Sequence, residues 1–99
     1  MIDLSIVVGF DWDAGNTQKN ARHGVSQAEA EQVFFDVDVL LIPDIKHSGI
    51  EPRFQALGIT EDRRTLHVTF TMRAEGTLVR VISARDMSRK ERKNYETQT

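Results

Sequence analysis

From Thr65 to Met72 the sequence alternates without a break. Leu66, Val68, Phe70 and Met72 face one way; Thr65, His67, Thr69 and Thr71 face the other, joined by Arg73. A period of two is the signature of a half-buried β-strand. Ala74-Glu75-Gly76 then reads as a hairpin turn, with Gly at the position that wants positive φ, and Leu78–Ala84 returns as the partner strand. The apolar row of this hairpin has to cover helices, because nothing else in the chain offers an apolar layer. That requirement fixes the class: a sheet with helices laid against it.

The remaining segments supply those helices and strands. Ser5–Phe10, rich in Ile and Val, is predicted to be a strand. Asp13 is placed to N-cap a first helix, and Gly24 after His23 provides a left-handed stop. Ser26-Gln-Ala-Glu29 is a capping box opening a second helix, whose apolar stripe is Ala30, Val33 and Phe34. Val37–Ile42 reads as a short strand ended by Pro43-Asp44, Lys46–Pro52 as a polar loop, Arg53–Ile59 as a strand and Thr60–Arg63 as a turn. Ser88-Arg-Lys-Glu91 is another capping box, starting a C-terminal helix that runs to about Glu96. The expected architecture is a single α+β domain over residues 1–99: a mostly antiparallel sheet packed on an N-terminal helix pair, plus the terminal helix. There is no repeat, linker or low-complexity segment.

Charge is distributed unevenly. Residues 63–99 hold nine of the thirteen Lys/Arg and four of the fifteen Asp/Glu, a balance of +5, against −7 for residues 1–62. The excess begins in the hairpin and continues into the terminal helix through Arg89, Lys90, Arg92 and Lys93. Arginines held on strands make a rigid cationic surface of the kind that holds phosphate, so an anion-binding face for nucleic acid is expected. The pI near 5.9 argues against indiscriminate coating of nucleic acid and for a selective site. The chain has no cysteine, which excludes disulfides, thiolate zinc sites and a cysteine nucleophile, and fits a reducing cytosol. The N-terminus lacks the pattern of a signal peptide and no apolar run reaches membrane-spanning length, so a cytoplasmic protein without membrane contact is expected.

The polar face of the hairpin carries His67, Thr69, Thr71 and Arg73. Which residues of the return strand join them depends on register. Pairing Arg73 with Thr77 brings Ser83 and Arg85; pairing it with Leu78 brings Arg80 instead. Ser83 and Arg85 are favoured, because Ser-Ala-Arg lies at the strand end, where a cleft can form. Such strand faces are also common as plain solvated surface.

Other chemistry is sparsely signalled. His23, His47 and His67 show no HxH, HExxH or i, i+4 spacing, so no metal site is expected. Nor is a cofactor, since no GxGxxG or GxxxxGK loop exists. His23 beside Gly24 reads as a helix-end residue, His67 as an exposed one. His47 with Glu51, in a polar loop beside Arg53, is the better acid/base candidate.

Several separated motifs resemble the BrnT toxin family. They are Phe10-Asp-Trp12-Asp13, Asn20-Ala-Arg22-His23-Gly24-Val25-Ser26, Glu29-Ala30 and Val33-Phe34. They continue with His47-Ser48, Glu51, Arg53-Phe54, Gly58, Arg64, Leu66, Phe70-Thr71 and Arg73. Arg80-Val-Ile82-Ser83-Ala84-Arg85, Arg89-Lys-Glu91-Arg92 and Tyr95-Glu96 complete the set. The resemblance departs at Asn16, where family members usually carry Lys.

The resemblance implies a ribonuclease toxin of a type II toxin–antitoxin pair with a RelE-like fold. It also implies a BrnA-like antitoxin with a ribbon-helix-helix DNA-binding domain, through which the complex reaches operator DNA. RNA is then the substrate and translation the process stopped. On that reading Arg73 and Arg85 bind the scissile phosphate, with His47 or Glu51 as base or acid, and Arg53, Thr71, Ser83, Arg80 and Arg89 contact the strand. A contrasting reading is a non-catalytic module acting as an antitoxin-bound co-repressor.

Overall fold

The hairpin forms the middle of the sheet. The computed structural model describes residues 2–98. Its elements are β1 (Gly9–Phe10), α1 (Ala14–Ala21), α2 (Gln27–Val33), β2 (Leu40–Pro43), β3 (Phe54–Ile59), β4 (Thr65–Arg73), β5 (Leu78–Asp86) and α3 (Arg89–Gln98). The strands order as β1-β5-β4-β3-β2. All neighbours are antiparallel except β1, which runs parallel to β5, so the α+β chain carries a mixed five-stranded sheet.

The alternation in β4 is realised directly. Leu66, Val68 and Phe70 are fully buried, together with Val79, Val81, Ala84 and Ala56 of the neighbouring strands. Each of the Leu, Val and Phe side chains contributes about 1.5–3 kcal/mol relative to exposure. Ala30 and Val33 of α2 belong to the same cluster, and Phe34 packs edge-on against Phe70 with ring centroids 4.9 Å apart. Close approach of α2 to β3 depends on Gly58, since a Cβ there would lie 2.8 Å from Val33 Cγ1. α1 is tied to β5 through Asn16, whose Nδ2 donates to Val81 O at 2.9 Å.

The caps form where the sequence places them. Asp13 accepts from Gly15 N and Asn16 N, Ser26 and Glu29 close a reciprocal box, and Ser88 does the same with Glu91. Gly24 adopts φ +69. At the hairpin, Ala74 and Glu75 share the left-handed region with Gly76, and the turn closes with Gly76 N donating to Arg73 O.

Two strands differ from expectation. Ser5–Phe10 is not one strand, because Asp3 accepts hydrogen bonds from Ser5 N and Oγ and curls Leu4–Ile6 into a 3-10 turn. Pairing begins only where Val8 N reaches Thr77 O, at 2.8 Å. β2 starts at Leu40, not Val37. Asp36 turns the chain there, its carboxylate accepting from Asp38 N and its carbonyl from Val39 N, and Val37 stays exposed. Pro43 is the last residue of β2, permitted because β2 is an edge strand that asks no donor of it.

α3 lies on the other face of the sheet. Tyr95 packs with Leu57 and Met87, beside Leu40 and Ile42, and its hydroxyl donates to Asp36 Oδ2 at 2.6 Å. Among the described residues no helix is long and apolar enough to cross a membrane.

Candidate functional site

The register of β4 and β5 resolves the choice between Arg80 and the Ser83/Arg85 pair by admitting both. Arg73 pairs with Leu78, and Thr71 therefore faces Arg80. A bulge between Thr69 and Phe70 then shifts the ladder by one residue of β5, so Ser83 faces Thr69 and Arg85 faces His67. One sheet face thus carries Arg73, Arg80, Ser83 and Arg85.

These arginines do not converge. Arg73 and His67 are six residues apart along β4, and Arg85 is level with His67; at ~3.4 Å per residue the two guanidinium-bearing positions are about 20 Å apart. A single phosphate cannot bridge them. Each also has a carboxylate partner. Arg73 meets Glu51 through two contacts of 3.2 Å. Arg80 reaches Asp13 at 3.0 Å and Asp11 at 3.5 Å. Arg85 grips Glu91 with two parallel bonds of 2.7 and 2.9 Å. That grip holds the Glu91 carboxyl down to about 2, with the Ser88 amide assisting. Arg53 and Arg89, by contrast, make no ion pair among the described residues and are exposed.

His47 sits in a 3-10 turn, Ile45–His47, N-capped by Asp44. Its expected companion was Glu51, but Glu51 is taken by Arg73. Asp44 fills that place: His47 Nδ1 lies 3.1 Å from both carboxylate oxygens, and the His47 amide donates to the same group. Gln55 Nε2 reaches Asp44 Oδ2 at 3.3 Å. The Asp44 carboxyl stays below its usual range: burial opposes its charge, but the bonds from His47 and Gln55 outweigh that. The His47 side chain remains 61% exposed, with its ring held at Nδ1. Gln55 is level with Thr69 on β3 and β4, so this pair stands over the same sheet face as Arg73.

Two expectations are corrected. His67 is not exposed: α3 covers it to 5% exposure, burial pushes its imidazole below the ordinary value, and Glu91 at 3.6 Å only partly opposes that. Thr71 is not offered to a ligand. It is 1% exposed and its hydroxyl donates to Pro52 O at 2.6 Å, which anchors the loop that carries His47, Glu51 and Arg53.

Asp44 and Gln55 were missed by sequence reasoning. The Asp-x-x-His spacing of an N-capped turn was the available signal for the first; none existed for the second, whose role depends on β3 register. Arg64 was noted only as part of a family pattern, yet it ties three elements together, through Glu29, Asp86 and Gly24 O.

The arrangement sets carboxylate-paired arginines along one sheet face, with an imidazole oriented at its Nδ1 beside them. No curated protein matches the sequence. Residues 12–91 match the family described as "Ribonuclease toxin, BrnT, of type II toxin-antitoxin system". With most of its length matched, the chain belongs to the BrnT family of ribonuclease toxins.

Proposed function

We propose that this chain is an endoribonuclease that cleaves single-stranded RNA through attack of a 2′-OH on its own 3′-phosphate, without a metal ion. The observation that carries the reading is the Asp44–His47 pair, held by Gln55 over the same sheet face as Arg73, whose partner Glu51 lies in the loop that follows His47. The reaction needs alignment, charge neutralisation and two proton transfers. His47 takes the 2′-OH proton as its oxygen bonds to phosphorus. The P–O5′ bond breaks, and an acid returns a proton to O5′. Glu51, released from Arg73 as phosphate takes its place, takes up a proton from solvent and is that acid, while His47 returns its proton to solvent. The products are a 2′,3′-cyclic phosphate and a 5′-OH. Arg73 and Arg53 stabilise the extra negative charge on the reacting phosphate, while Arg85, Arg80, Ser83 and Arg89 hold the strand further along.

The fold is read as RelE-like, and the partner as a BrnA-like antitoxin whose ribbon-helix-helix domain carries the pair to operator DNA. Apolar surface for a covering chain exists: Val8, Phe35 and Val37 are 81%, 75% and 96% exposed. The test is incubation of purified protein with RNA in excess EDTA. Fragments ending in 2′,3′-cyclic phosphate are expected, and their absence from His47→Ala digests. Intact RNA with wild-type protein, or cleavage that EDTA abolishes, defeats the metal-free reading.

A second reading has one observation behind it. Arg73, Arg80 and Arg85 are already neutralised by carboxylates, as in a face built for docking alone. A non-catalytic co-repressor predicts no growth arrest when the chain is expressed without its antitoxin; the enzyme predicts arrest.

A further inference from the structure

α3 packs on the sheet through Tyr95. Between it and the β2–β3 edge runs a groove of about 640 Å³, within the roughly 300–1,000 Å³ range of small-ligand sites. Its apolar residues are Ile42 and Leu57, and its polar side includes Gln55, Lys90, Lys93 and Asn94. Lys90, Lys93 and Asn94 fall at i, i+3 and i+4, one face of α3. All three are exposed beside the face that packs through Glu91 and Tyr95, so the groove side of α3 is cationic and amide-bearing. Lys90 and Lys93 have no carboxylate within ion-pair distance among the described residues, and Glu91, which also borders the groove, has both oxygens committed to Arg85. Among the described residues no hydrogen bond engages the Asn94 carboxamide, and Gln55 uses only its Nε2, on Asp44.

Apolar surface, amides and cations together match a nucleotide. A nucleobase has apolar faces and a donor–acceptor edge, and an amide can both donate to that edge and accept from it. Its phosphate takes a lysine. A bare phosphate would leave the accessible apolar surface of Ile42 unused. Gln55 belongs both to this groove and to the Asp44–His47 pair, which sets the groove next to the reacting bond. We propose that the groove is a base-selecting subsite: it receives one unstacked nucleobase adjoining the cleaved linkage, with Lys90 and Lys93 on the flanking phosphate. This rests on the reading of the chain as an RNA-cleaving protein.

The experiment separates the two. Amide resonances of the protein are followed by NMR during titration with each of the four nucleoside 3′-monophosphates, and with inorganic phosphate as control. Saturating shifts at residues 90–97 and at Gln55 and Leu57 are expected with at least one nucleotide, and weaker binding for inorganic phosphate. Lys90→Glu with Lys93→Glu should weaken that nucleotide about tenfold or more, and Asn94→Ala should narrow the difference between bases and alter the preferred cleavage sequence. Shifts equal for phosphate and all nucleotides, or no shifts in the groove, overturn the subsite even if RNA is cut. Groove binding without cleavage of RNA keeps the subsite and removes the enzyme.

Discussion

Arg85 and Glu91 face each other as fork and carboxylate, Nη1 on Oε1 and Nη2 on Oε2, with Glu91 also accepting from Ser88 N. One carboxylate thereby caps α3 and fastens it to β5. Glu91→Gln keeps the cap acceptor but removes the charge; a loss of about 1–2 kcal/mol is expected, or a Tm lower by roughly 5–15 °C for a domain of this size. The carboxyl sits near 2 when folded against 4.5 otherwise. Its stabilisation is therefore complete above pH 4.5 and disappears as pH falls toward 2. Urea denaturation at pH 7, 4 and 2.5 should show that acid limb in wild type and a flatter one in the variant.

His67 gives a second pH dependence, in a higher window. Its folded value lies below the ordinary 6.5 because of burial. Below pH 6.5 the unfolded chain binds a proton that the folded chain resists, so stability is full above 6.5 and declines as pH falls from there. His67→Gln should remove this decline while leaving the Glu91 limb. An imidazole titration by NMR that places His67 at or above 6.5 would contradict the burial argument.

Arg73 and Arg85 are too far apart to act on one phosphate, so their losses should differ in kind. Arg73 stands at the His47 end. Arg73→Ala is expected to lower kcat by about 10²–10³, and Arg85→Ala to raise KM with a smaller change in kcat. Single-turnover cleavage of a short RNA separates the two. A fall of less than about threefold in kcat/KM for both would remove them from the mechanism.

Gly58 lets α2 approach the sheet. A methyl at that position meets Val33 Cγ1 at 2.8 Å and Val33 O at 3.0 Å. The carbonyl is backbone and cannot swing away, so Gly58→Ala should cost about 1–3 kcal/mol, measured by thermal or urea unfolding.

Tyr95→Phe removes the donor to Asp36 Oδ2 while keeping the ring in place. Asp36 retains the Ile59 amide, at 3.0 Å. The expected cost is about 1 kcal/mol, and thermal unfolding at neutral pH checks it.

Short-range features were legible in the sequence. The β4 alternation, the boxes at Ser26–Glu29 and Ser88–Glu91, Asp13 and Gly24 all depend on residues within a few positions of one another, where spacing and geometry are the same thing. Even there, competition mattered: Asp3 and Asp36 diverted two predicted strands by bonding to nearby amides. What the tertiary structure decided was long-range. The bulge in β5 put Arg80 and Arg85 on one face, the covering of His67 by α3 pushed its imidazole below the ordinary value, and the fold gave Glu51 to Arg73. Each of these joins segments far apart in the chain, and a shift of one residue in register would assign every partner differently.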